Sequence, residues 1–137
     1  MNRLAIVPAL LLFAPVCLAC RGLLKPPPVH EVDLAELLAE NATNPAGVVE
    51  KHRGAVVELT GYVHEVNHNN HNNTFIHVAP KPKRDFGDPE LLVYVLDDSL
   101  VARLSGYPVG SKITLRVALD QAQSTHVLAR CVAIVGK

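Results

Sequence analysis

From Ala55 onward the hydrophobic spacing shortens to two and stays there nearly to the end of the chain. Alternation of that kind turns one face of a segment toward a core and the other toward water. Five segments carry it, at about Val56 to Val66, Thr74 to Ala79, Leu91 to Leu96, Lys112 to Leu119 and Val127 to Val135. The apolar content agrees with strands, since Val, Leu, Ala and Ile supply it while the chain has no Trp, three Phe and three Tyr. A chain of 137 residues, less any targeting segment, has room for one domain and one core. Mostly β structure is expected.

Helical spacing appears before this block and once within it. Val32, Leu34, Ala35, Leu37, Leu38 and Ala42 form an apolar stripe that predicts a helix from about Val32 to Glu40. Asn44 before Pro45 reads as a cap with proline at the first helical position, so "PAGVVEKH" is a second short helix ending near Gly54. Between the third and fourth strands, Leu100, Val101 and Leu104 follow a cap-like Asp98 and precede Gly106 and Pro108, which predicts another short helix. Gly61 interrupts the first strand, as a glycine does at a bulge or where a strand passes between sheet layers.

Five strands, a glycine-bent first strand and a helix between strands three and four resemble a five-stranded OB-fold barrel, here preceded by an N-terminal helical segment over 32–137. More narrowly, "ELLAENATNPAGVVEKHRGAVVELTGYVHEV", "LVYVLDDSLVARLSGYPVGSKITLRVAL" and "VLARCVAIV" look like the tRNA_anti-like family of OB-fold bacterial envelope proteins, many of them lipoproteins. The resemblance implies a fold and a compartment and brings no shared activity. The His/Asn loop and "APKPKRDFGDPE" are particular to this chain.

Residues 1–19 read as an export signal: Asn2 and Arg3 give a weakly basic start, "LAIVPALLLFAPV" is apolar, and Ala19 precedes Cys20. Leu4 to Cys20 is 17 residues with Pro8 and Pro15 inside, short of the roughly 20 that span a bilayer. "CLAC" resembles a lipobox with Cys17 where Leu is usual, which makes Cys20 the expected lipidation site; ordinary cleavage after Ala19 and a soluble periplasmic protein is the alternative. Residues 20–31 hold three consecutive prolines and read as an extended spacer. Cys131 is expected as a buried thiol in the last strand, with a bond to an unacylated Cys20 as the alternative.

Thirteen basic and thirteen acidic residues leave no global field to attract a polyanion. Tyr62, Phe75 and Tyr94 are the candidate stacking aromatics, and Lys81, Lys83 and Arg84 the candidate cations beside them, for nucleic acid on an OB fold. The competing expectation, preferred here, is that those aromatics fill the barrel and the cations sit on a solvated turn, so that nucleic acid is not the partner. His64, His68, His71 and His77 raise a divalent-metal site if residue 64 lies opposite 77, yet Asn-rich loops are favoured in turns for their own sake, and a polar hairpin with weak, non-selective binding is the expectation. No grouping of nucleophile, base and charge stabiliser is legible, and no cofactor is called for. The sequence therefore predicts a non-enzymatic, lipid-anchored binding or assembly module of the bacterial envelope, with an envelope protein or glycan as partner met at Phe75, Tyr94 and the "KPKRDF" loop. Nucleic-acid binding and metal binding by the His loop are the alternatives.

Overall fold

The computed structural model describes residues 25–69 and 73–136. Strands β1 (Val29–Glu31), β2 (Val56–His68), β3 (Thr74–Ala79), β4 (Glu90–Val95), β5 (Lys112–Gln123) and β6 (His126–Val135) alternate with helices α1 (Leu34–Thr43), α2 (Pro45–Lys51) and α3 (Asp98–Leu104). The sheet runs β1-β2-β3-β4-β6-β5, and β5 pairs back onto β2, so five strands close into a barrel with β4 and β6 parallel. The OB-fold expectation is met in strand count, order and helix placement.

Local chemistry sets the helix ends. Asp33, in extended backbone, accepts a hydrogen bond from Glu36 N–H at 3.0 Å and starts α1 one turn from the strand before it. Asn44 ends α1 and caps α2, its Oδ1 accepting from Gly47 N–H at 3.1 Å with Pro45 next in line. The cap of α3 is Asp97 rather than the expected Asp98, because Asp97 keeps extended backbone and accepts from both the N–H and the hydroxyl of Ser99. Those bonds hold the Asp97 carboxyl below the usual carboxylate range.

Leu34, Leu37 and Leu38 line the buried face of α1. Each stabilises the fold by about 1.5–3 kcal/mol on burial. Gly61 shows why this helix can lie so close. A Cβ there would stand 2.6 Å from Val78 Cγ1, 2.7 Å from Leu34 Cδ2 and 2.9 Å from the Ala79 carbonyl. The glycine sits next to Tyr62, where β2 passes from β5 to β3, while the register shift of β2 falls two residues later, between Val63 and Glu65. Gly61 thus marks a handover and a close approach, and the bulge expected there is displaced toward His64.

Two further features depart from the sequence reading. Val29–Glu31, inside the stretch read as a spacer, forms β1 and pairs parallel with Val56–Glu58 of β2. His30 on that strand places Nδ1 3.0 Å from Nδ1 of the buried His52 behind α2, with ring centroids 5.2 Å apart. Two ring nitrogens at that distance share one proton, one donating and one accepting. The second departure is the core itself. Its buried apolar side chains are Leu, Val, Ile, Ala and Cys131, and no Phe or Tyr of the described residues is among them. The expectation that the aromatics fill the barrel is overturned, because short branched side chains already close its narrow interior. Cys131 is buried as expected, and burial pushes its thiol up to about 11.

Candidate functional site

Since the aromatics do not face inward, they face out. On β3 the core takes Ile76 and Val78 and leaves Phe75 and His77 half-buried on the outer face; on β4 it takes Leu91, Val93 and Val95 and leaves Glu90, Leu92 and Tyr94. Register then decides which of these meet. Asn67, Phe75, Tyr94 and Arg130 lie side by side across β2, β3, β4 and β6, and the next row holds Glu65, His77, Leu92 and Leu128. The result is an outward strip in which Phe75, Tyr94, Leu92 and Leu128 are half-buried, with exposed Arg130 at its margin.

Tyr94 is fixed on this strip. Its hydroxyl donates to Asp120 Oδ2 at 3.1 Å, and Asp120 stands in the irregular stretch of β5 with β6 between the two strands, so the ring is drawn across β6. Burial, and then that bond, raise the Tyr94 phenol above its ordinary value. Tyr62 lies apart. It pairs with Ala79 and Lys112, five residues up β2 from the partner of Phe75, about 17 Å along a strand. The structure brings Phe75 and Tyr94 together and leaves Tyr62 outside their platform.

Of the three expected cations, Lys81 and Lys83 are exposed. Arg84 is a brace, its Nη1 2.8 Å from Glu90 Oε2 and its Nε donating to the Asp88 carbonyl at 3.3 Å. Sequence reasoning missed Leu92, Leu128 and Arg130. Alternation within the third and fifth predicted strands would have placed them outward, and the parallel pairing of those strands in an OB barrel would have placed them beside Tyr94.

The histidines do not converge. The bulge sets Glu65, rather than His64, opposite His77. His64 Nε2 donates to the Lys81 carbonyl at 2.8 Å, His68 Nδ1 lies 2.9 Å from Thr74 Oγ1, and His77 bridges Glu90 Oε2 at 3.0 Å and Asn67 Nδ2 at 3.3 Å. His71 lies outside the described residues. Among those described, no three His, Cys, Asp or Glu side chains are grouped as a metal would require.

A closed five-stranded barrel with an outward aromatic pair on its second and third barrel strands defines the class of the protein as an OB-fold domain. No protein-family model matches the chain, and no curated protein matches it either. Solved structures do. A crystal structure described as a "putative nucleic acid-binding lipoprotein" from Klebsiella pneumoniae subsp. pneumoniae is 16% identical, with 87% of this chain and 99% of that one covered at a TM-score of 0.60. A small single-stranded DNA binding protein from Mycoplasma pneumoniae is 14% identical over 59% of this chain and 84% of its own, at 0.42. The mitochondrial single-stranded DNA binding protein Rim1 from S. cerevisiae is 12% identical over 61% and 95%, also at 0.42.

One expectation is corrected by these observations together. Nucleic acid was set aside in favour of an envelope protein or glycan because the charge is balanced and the aromatics were assigned to the core; the aromatics are on the surface, and a solved structure that covers 87% of this chain is described as nucleic acid-binding. The setting aside does not stand. The expected export signal and the expected lipidation site, Cys20, fall outside the described residues, among which no helix is long and apolar enough to cross a membrane.

Proposed function

We propose that this chain is a single-stranded nucleic-acid-binding OB domain. The observation that carries the reading is the Phe75–Tyr94 pair, held outward in adjacent register with Arg130 next to Tyr94 and with the ring of Tyr94 pinned by Asp120. Bases stack on such a platform whatever their sequence, and a pinned ring loses little freedom on binding. Lys81 and Lys83, exposed on the loop between β3 and β4, supply cations for phosphates farther along the strand. The Klebsiella protein's description supports the same reading.

The finer assignments belong to the same proposal. The chain is of the tRNA_anti-like type, exported and anchored by a lipid on Cys20, and it acts by binding without a reaction of its own. The "CLAC" motif supports the anchor, as does the Klebsiella neighbour's description as a lipoprotein. The absence of catalysis is supported by the employment of the acids: Asp97 caps a helix, and Asp88 and Glu90 brace a turn.

Fluorescence anisotropy with a labelled oligothymidylate of about twelve residues tests the reading. Tyr94→Ala and Phe75→Ala should each weaken binding about 5- to 100-fold, the range of one lost base stack. With Lys81, Lys83 and Arg130 as the phosphate contacts, log K should fall against log salt with a slope of about −2. An affinity unchanged in both aromatic variants would refute the proposal.

A further inference from the structure

Phe86 is the most exposed large apolar side chain of the described residues. A lone exposed apolar residue is ordinary on a protein surface. This one is displayed on a built support. Asp85 to Asp88 form a turn closed by Asp88 N–H donating to the Asp85 carbonyl at 3.2 Å, with Gly87 at φ +86° in the third position as a type II turn demands. The Asp88 carboxylate accepts from Asp85 N–H at 3.0 Å, and Arg84 ties the same turn to Glu90 on β4.

The turn forms one wall of an open cleft of about 690 Å³, whose other walls are His64 and Glu65 at the bulge of β2 and Thr125 and His126 at the turn between β5 and β6. That volume suits one nucleobase with its sugar. The cleft is continuous with the aromatic face, because Glu65 also stands opposite His77 in the row beside Phe75 and Tyr94. Its polar lining sorts what enters. Glu65 and Asp85 offer only acceptors, and His64, whose Nε2 proton goes to the Lys81 carbonyl, keeps Nδ1 as an acceptor in its neutral form. The lone guanidinium, Arg84, is already engaged by Glu90. A phosphate meets negative charge here, whereas a base edge rich in N–H donors finds partners.

We infer that this cleft takes a single nucleobase stacked on Phe86 and selects guanine, whose adjacent N1–H and N2–H groups a carboxylate can accept together, over thymine or uracil. The inference rests on the nucleic-acid reading above and adds sequence preference to it. Anisotropy of the full chain with oligothymidylate, and with the same strand carrying one central guanine, gives the measurement. The guanine strand should bind about 5- to 100-fold tighter, and Phe86→Ala and Glu65→Gln should each erase that advantage while leaving oligothymidylate binding within about twofold. Equal affinity for the two strands, or an advantage that survives Phe86→Ala, overturns the cleft assignment while oligothymidylate binding sensitive to Tyr94→Ala keeps the broader reading. Binding of neither strand overturns both.

Discussion

At the scale of single residues, the positions that matter most are those where a small side chain or none lets two elements touch. Gly61 is the sharpest case, since its Cβ would meet Val78, Leu34 and backbone within 3.0 Å. Gly61→Ala should destabilise the domain by about 1–3 kcal/mol, the usual cost of overpacking, read as a lower urea midpoint at unchanged slope. The glycine was visible in the sequence as a break in alternation, but the helix it admits was not, because nothing local to "VELTGYV" names Leu34 as its neighbour. The same holds for the platform. Phe75 and Tyr94 could be picked by residue type; that they adjoin, and that Arg130 and Leu128 complete the strip, depends on strand register, which is set between distant segments.

At the scale of elements, all five barrel strands and all three helices were legible, because each carries its own period and its own cap. Strand ends were less so: β2 continues through His68 and β5 through Gln123, beyond the apolar alternation, since a hairpin partner can extend a ladder through polar residues. Strand β1 was missed altogether. Three residues after a polyproline stretch carry no period, and parallel pairing leaves no hairpin signal. Helix α1 lies against β2, β5 and β6 and is tied to the end of β5 by the buried Asn41, whose amide donates to the Gln123 carbonyl. Leu37→Ala, at the centre of its buried face, should therefore cost about 2–5 kcal/mol, measured by chemical denaturation. A cost under about 1 kcal/mol would show that α1 is an appendage rather than part of the core.

At the scale of the whole molecule, the barrel and its N-terminal strand respond to pH through the His30–His52 contact. Burial, then the charge of His30 and of Lys51, holds the His52 imidazole below its ordinary 6.5, while Glu40 opposes them weakly. The unfolded chain thus takes up a proton on this side chain at a higher pH than the folded one. The stability it contributes is complete above about 6.5 and declines as pH falls below that value. Thermal midpoints measured from about pH 7.5 down to about pH 5.5 should fall, and His52→Asn should flatten part of that slope. Hydrogen exchange at Val32 and Val56, whose amides bond Glu58 and Pro28 across the β1–β2 contact, should quicken first.

That contact also has a mechanical meaning. The chain enters the domain at Pro28, whose carbonyl accepts from Val56 N–H at 2.9 Å, and leaves the strand at Val32, whose N–H donates to the Glu58 carbonyl at 3.0 Å. Tension on the N-terminal side, directed along β1, strains these bonds in shear and all at once, whereas tension across the sheet peels them one after another. Under a lengthwise tug the load is taken up at the edge of the barrel, and it reaches the Asp33 cap and helix α1 only after β1 has slid free.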